Sequence, residues 1–392
     1  MSADREFDVI VYGATGYTGR LVAEYLVKTY GAPGGVRWAM AGRNAAKLAE
    51  VRDLIGAPPA LSLLVAEAHD LAALEAMAKR TKVVISTAGP YQLYGSDLVA
   101  ACAKTGTDYV DLTGESNWIA AMMIAHEAEA KASGARLVFS CGFDSIPFDM
   151  GVWFVERAAK ERLGAYAPRV RGRIRKLQGG LSGGTLASGQ ATMAAAAKDP
   201  SIVAVLANPF ALTTGFTGPA QPDGDTPYED KLAGAWVGPF MMAGINTKAV
   251  HRTNFLAGHP WGTGFQYDEM QMLDGPPQAG AAPGMGGFDF GAGGMPKPGE
   301  GPTLEERENG FYDILFIAEA ADGRTVRAAV KGDRDPGYGS TCKILAEAGL
   351  ALAFDVPRSQ TPGGCWTSAS AMPEALLARL PAKAGLTFEV EG

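Results

Sequence analysis

Three glycines and one arginine carry the first chemistry of this chain. Gly13-Ala14-Thr15-Gly16-Tyr17-Thr18-Gly19 follows directly on the apolar run Phe7 to Tyr12. Leu21, Val22, Tyr25 and Leu26 then recur at helical spacing. Strand, glycine turn and helix start stand in the order a phosphate site requires: unpaired N–H groups at a helix N-terminus face an anion, with the helix dipole behind them. Glycine is needed where a Cβ would hold the backbone off a pyrophosphate or the helix off the sheet. Gly13, Thr15, Gly16, Tyr17, Thr18 and Gly19 are therefore candidate cofactor-binding residues. Their spacing is one residue wider between the first two glycines than the usual dinucleotide fingerprint. The next apolar run, Val36 to Ala41, ends in Gly42-Arg43, with Lys47 a turn later. An NAD site would carry Asp or Glu there to accept from the ribose 2′-OH. A guanidinium instead grips a 2′-phosphate with paired, charge-assisted bonds. Arg43 thus points to NADP.

In doubly wound sheets, ligands lie outside the carboxyl ends of the strands. That rule selects three further segments. Thr87-Ala88-Gly89-Pro90-Tyr91 follows a fourth strand, and the small Ala88 and Gly89, stiffened by Pro90, would admit a nicotinamide ribose. Asp111-Leu112-Thr113-Gly114-Glu115 follows a fifth, where capping the helix at Trp118 is the simplest use of a carboxylate. Cys141-Gly142-Phe143-Asp144-Ser145-Ile146-Pro147 follows a sixth; a hinge there would place Asp144 and Ser145 in the inter-domain cleft, and Phe143 and Asp144 are candidate cofactor-binding residues. No acid–base pair declares itself among His69, His126, His251 and His259. Tyr91 is a candidate proton donor, against the commoner packing role of a buried tyrosine. Ser145, or backbone N–H groups, could polarise a substrate carbonyl.

The elements that must position these residues alternate strand and helix through about residue 145, as a doubly wound parallel sheet should. Leu61 to Ala66, Val83 to Ser86, Tyr109 to Leu112 and Leu137 to Ser140 read as strands three to six. Asp70 suits an N-cap, and Gly134 a helix end. Beyond residue 145 the pattern changes. Val170 to Leu177 alternates basic and apolar residues, Gly179 to Gly184 connects to an alanine-rich helix, and Ala321-Asp322-Gly323 joins a hairpin. The expected fold is α/β: a Rossmann domain over 1–145, an α+β lobe on an antiparallel sheet over 146–335, and a C-terminal segment, 336–392, packing back on the first domain. The stretch 274–302 is rich in Gly, Pro, Ala and Met; a lid bearing Met285, Phe288, Phe290 and Met295, or a surface insertion, fits it.

A length of 392 residues, 47% hydrophobic and 20% charged, suits a two-domain globular protein with ample core. A net charge of −7, with no basic block, argues against nucleic acid. Cys102, Cys141, Cys342 and Cys365 are scattered, so no metal is expected and reduced thiols in a cytoplasm fit. No segment reads as a signal peptide or membrane span. A small-molecule substrate is expected, a lipid-like one needing only an apolar groove, and peripheral membrane contact and a homodimer stay open.

The glycine motif, Ala41-Gly42-Arg43, Gly89-Pro90-Tyr91 with Tyr94-Gly95, and Gly142-Phe143-Asp144-Ser145-Ile146-Pro147 together resemble the saccharopine dehydrogenase-like oxidoreductases, and most of all their trans-acting enoyl reductase branch. Gly184-Thr185 and Asp335-Pro336-Gly337-Tyr338 also fit. The resemblance implies an NADP-binding Rossmann domain with an inserted lobe, and reduction of a carbon–carbon double bond in a polyketide-derived lipid. Two alternatives stay open. An imine-reducing amino-acid dehydrogenase would need arginines for its substrate's carboxylates, for which Arg169, Arg171, Arg173 and Arg175 are the dense candidates, although such a stripe more often faces solvent. A non-catalytic NADP sensor or scaffold would need no acid or base at all.

Overall fold

The computed structural model describes residues 5–31, 35–276, 288–289, 296–297 and 299–392. Its first sheet collects β1 (Phe7–Tyr12), β2 (Trp38–Gly42), β3 (Ser62–Val65), β4 (Thr81–Ser86), β5 (Asp108–Asp111) and β6 (Arg136–Val138). Between them run α1 (Tyr17–Tyr30), α2 (Ala45–Leu54), α3 (Leu71–Ala78), α4 (Tyr91–Tyr94), α5 (Ser96–Thr105) and α6 (Ser116–Ser133). All six residues of β1 are buried, as a strand covered on both faces must be. Asp70 accepts from the Ala73 amide at the start of α3, and Gly134 closes α6 at φ +84°.

The second part of the chain opens with α7 (Ile146–Leu163), β7 (Arg169–Gly180), α8 (Gly183–Lys198), α9 (Pro200–Ala207), β8 (Tyr228–Asp230), β9 (Ala235–Pro239), α10 (Ala243–Leu256) and β10 (Gln266–Leu273). It continues through β11 (Phe288–Asp289), α11 (Leu304–Asn309), β12 (Phe311–Glu319), β13 (Thr325–Gly332), α12 (Thr341–Phe354), β14 (Gly364–Trp366), α13 (Ser368–Ala371), α14 (Pro373–Arg379) and β15 (Leu386–Glu391).

The first sheet has the order β14-β6-β5-β4-β1-β2-β3, with every pairing parallel. Strand order reverses between β4 and β2 around β1, which opens the ligand crevice at the tip of β1. The second sheet runs β15-β13-β12-β7-β10-β9-β8. It is mixed rather than wholly antiparallel, because β10 pairs β7 in parallel, from Gln266 opposite Arg169 to Gln271 opposite Ile174. The crossover through α8, α9 and α10 returns the chain in the original direction, as a parallel pair requires. The expected hairpin is present as β12 and β13.

The C-terminal stretch serves both sheets. Helix α12 lies on the first, with Ile344 and Leu345 buried and Gly349 so close to Ile85 that a Cβ would approach its Cδ1 to 2.7 Å. Strand β14 extends that sheet beside β6, whereas β15 extends the second beside β13. Met285, Phe290 and Met295 lie outside the described residues.

Candidate functional site

At the tip of β1 the chain turns through Gly13 at φ +84°, a conformation that favours glycine. A Cβ on Gly13 would meet Thr87 Oγ1 at 2.9 Å, and one on Gly19 would meet the Gly13 carbonyl oxygen at 2.2 Å. The outer two glycines thus let helix, turn and neighbouring loop close on one another. Gly16 precedes α1 without a side-chain cap, and no acid stands in the first turn. The amides of Tyr17, Thr18 and Gly19 have no acceptor among the described residues. These free donors at the start of α1 fit a pyrophosphate.

Strand β2 ends beside this turn: a Cβ on Gly42 would lie 3.9 Å from Thr15 Cγ2. Arg43 follows, exposed and without an ion-pair or hydrogen-bond partner among the described residues. Asn44 then caps α2 by accepting from the Lys47 amide at 3.0 Å. No Asp or Glu directly follows β2 in the chain.

Across the switch point, Thr87 donates from its amide and hydroxyl to the Tyr12 carbonyl, fixing the loop that carries Ala88, Gly89 and Pro90. Helix α8 of the second lobe closes on this loop: a Cβ on Gly89 would lie 3.5 Å from Ser188 Oγ, and Gln92 Nε2 donates to Thr192 Oγ1 at 3.1 Å. Glu115 does not cap its own helix. Its carboxylate accepts from the Tyr91 and Gln92 amides, both at 2.8 Å, and so caps α4.

Tyr91 takes the packing role. It is buried, its hydroxyl donates to the Ser86 carbonyl at 2.9 Å and accepts from the Leu112 amide, and its ring lies 5.4 Å from that of Trp118. A phenol so engaged, with burial pushing its pKa up, has no proton to offer a ligand.

The loop after β6 is held from three directions. Asp111 accepts from the Ser140 amide at 2.8 Å, and Ser140 Oγ donates to the Thr113 carbonyl. Thr341 at the start of α12 accepts from the Phe143 amide at 2.9 Å. From the second lobe, Asn246 Oδ1 accepts from Ser145 Oγ at 3.2 Å, while its own amide donates to Glu269 Oε2 at 2.8 Å. Ser145 is buried, with φ +100°, a strained setting for a residue bearing a Cβ. Its hydroxyl proton already goes to Asn246, so it positions the loop rather than polarising a carbonyl. Phe143 turns its ring into the core, between Phe148 and Tyr312, and leaves only its backbone toward the crevice. Asp144 alone in this loop has a side chain with no hydrogen-bond or ion-pair partner among the described residues. Burial raises its carboxyl to about 7.

A second contact ties the lobes together at the glycine turn. The Tyr17 ring packs edge-on against Tyr338 at 5.1 Å, its hydroxyl donates to the Pro302 carbonyl, and the Arg20 guanidinium lies 5.7 Å from its centre. Tyr338 in turn accepts from the Ser182 amide at 2.6 Å and pairs with Thr185 Oγ1, while Asp335 accepts from the amides of Gly180, Tyr338 and Gly339. Arg169, Arg171, Arg173 and Arg175 are neither a solvent-facing stripe nor free for a substrate. Arg169 pairs with Asp268, Arg171 with Glu319, the fully buried Arg173 with Asp230 and Asp268, and Arg175 with Asp313 and Glu391.

Ser188, Asn246 and Thr341 join the site although no motif marks them. Each becomes visible only when segments far apart in the chain meet.

Comparison with known proteins agrees with this geometry. Residues 9–138 match the family model described as the saccharopine dehydrogenase NADP binding domain. Over nearly its whole length the chain is similar to proteins named trans-acting enoyl reductase. One from Mycobacterium bovis is 38% identical, the alignment covering 97% of this chain and 96% of the relative. One from Mycobacterium ulcerans is 37% identical, covering 97% of each. Among solved structures, the apo saccharopine dehydrogenase (L-Glu forming) of Saccharomyces cerevisiae superposes with a TM-score of 0.55 at 15% identity, over 98% of this chain and 100% of that one, which shows a shared fold.

Proposed function

Since this chain belongs to the saccharopine dehydrogenase-like oxidoreductases, with the trans-acting enoyl reductases as full-length relatives, we propose that it uses NADPH to reduce the carbon–carbon double bond of an enoyl, lipid-like substrate. The observation that carries this reading is the crevice at β1, where an anion-ready glycine turn, the loop Ala88–Pro90 and the loop Phe143–Asp144 converge beneath a helix of the second lobe.

The amides of Tyr17, Thr18 and Gly19 hold the pyrophosphate, backed by the dipole of α1. Arg43 takes the 2′-phosphate, which sets NADP above NAD. Ala88, Gly89 and Pro90 give the nicotinamide ribose a close backbone surface, and the Phe143 backbone and Asp144 close that end. When bound, NADPH supplies the hydride. The protein's own part is positioning and exclusion of water: α8 lies over Gly89, and the two lobes meet at Asn246 and at Tyr17.

A lipid-like chain fits the surface beside the crevice. Helices α8 and α9 carry Leu186, Met193, Ile202, Val203 and Leu206, and no residue of α9 is buried. The four cysteines are free and buried, in keeping with a reducing cytoplasm. No helix of the described residues is long and apolar enough to cross a membrane. The pairing of the four arginines speaks against the imine-reducing alternative, which would need them for its substrate.

The test is loss of NADPH absorbance on addition of enoyl thioesters of increasing chain length. Turnover that improves with chain length is expected; tight NADPH binding without turnover across the series would leave a sensor or scaffold instead.

A further inference from the structure

We propose that Asp144 is the catalytic acid of this site, the group that protonates the substrate's α-carbon as hydride reaches the β-carbon. The proposal rests on the reductase reading above and assigns to that reaction a residue first considered only for holding the cofactor.

Asp144 stands in the loop that follows β6. Asp111, Thr341 and Asn246 fix its loop from three separate elements, and strained Ser145 follows it directly. Such over-determination is what holds a costly backbone geometry in place, and it is commonest where a side chain must be aimed. Among the described residues, the polar side chains of the loop are engaged inward, Ser140 with the Thr113 carbonyl and Ser145 with Asn246, while the Asp144 carboxyl has no hydrogen-bond partner. That carboxyl looks toward Gly114, where a Cβ would stand 3.7 Å from Oδ2 and 2.9 Å from Ile245 Cδ1. Glycine at 114 therefore lets Ile245 of the second lobe close on the loop beside the carboxyl. Asp144 follows β6 at the carboxyl end of the first sheet, the same end at which the Ala88–Pro90 loop follows β4.

A half-buried carboxyl close to Gly114, with no ion-pair partner among the described residues, holds its proton near neutrality, and burial is the sole cause of its shift to about 7. The charged and titratable groups on the surrounding elements are engaged elsewhere. Asp111 and Glu115 bind amides, Asp149 on α7 accepts from Thr253 and Ser368, and Glu269 on β10 accepts from Asn246 and Tyr267. On α10, Lys248 donates to the Leu206 and Gly244 carbonyls, and burial keeps His251 neutral.

The step balances without another reactant. NADPH is oxidised to NADP+ as its hydride forms a C–H bond at the β-carbon. The electron pair of the double bond moves to the α-carbon and takes the Asp144 proton there. The saturated product leaves, and solvent reprotonates the carboxylate.

Asp144→Asn and Asp144→Glu test the assignment, together with NADPH affinity by fluorescence and infrared titration of the carboxyl. Asp144→Asn should fold and bind NADPH as the parent does, yet lose about 100-fold or more in kcat, the scale of general acid catalysis. The parent's kcat should fall as pH rises through the neutral range, and that limb should vanish in Asp144→Asn and return in part in Asp144→Glu. The infrared difference spectrum of parent minus Asp144→Asn should show one protonated-carboxyl band that titrates near neutrality, over and above those of Asp111 and Glu156, which both proteins keep. An unchanged kcat and pH profile would overturn the proposal while leaving the reductase reading intact. So would a loss confined to NADPH affinity, which would make Asp144 a ribose ligand. A parent protein that turns over no enoyl substrate would remove the reading itself, and the acid with it.

Discussion

Arg43 stands exposed just past Gly42, with no ion-pair partner among the described residues, and it makes the sharpest single-residue prediction. Arg43→Ala should weaken NADPH binding by up to about 3 kcal/mol, the scale of hydrogen bonds to charged groups, and leave NADH affinity nearly unchanged. Titration of both cofactors decides it; equal losses would remove the 2′-phosphate contact. Asn246→Ala should lower thermal stability by about 1–3 kcal/mol, because it strips a partner from both Ser145 and the buried Glu269. Calorimetry on the variant would expose a smaller role. At this scale the sequence spoke clearly where chemistry is local. The glycine turn and the missing acid after β2 are contiguous features. Tyr91 and Ser145 were harder to read, because the Ser86 carbonyl and the Asn246 amide that occupy them carry no motif, and Asn246 lies far along the chain.

The glycine turn is an element whose tightness can be measured. Gly19→Ala would drive a Cβ into the Gly13 carbonyl, costing about 1–3 kcal/mol as overpacking does and pushing α1 away from the loop that receives the pyrophosphate. Cofactor affinity should fall along with stability, and NADPH binding unaltered by the substitution would refute the close approach. The strands of the first sheet were legible as apolar runs because both their faces are covered, as in β1. The parallel pairing of β7 with β10 was not. Its register depends on a crossover of many residues rather than on any local turn. The same holds for β14, three residues long and joined to β6 from the far end of the chain.

Across the whole molecule, burial leaves several carboxyls reluctant to ionise: Asp111 and Asp144 are raised to about 7 and Glu156 to about 8. An unfolded chain releases these protons near pH ~4, whereas the folded one keeps them to near neutrality. The native state therefore binds the extra protons, and these groups make stability decline as pH rises from about 4 to about 8. Below about pH 6.5 His251, held neutral by burial, works in the opposite direction. Urea midpoints across the window check the sign, and Glu156→Gln should flatten the slope. The same breadth of organisation appears in the last thirty or so residues, where β14 completes one sheet and β15 the other. On a ribosome, which releases a chain from its N-terminus, neither sheet has all its strands until residues 364–391 have emerged. Until then the chain keeps an open edge beside β6 and another beside β13, so the two lobes mature together.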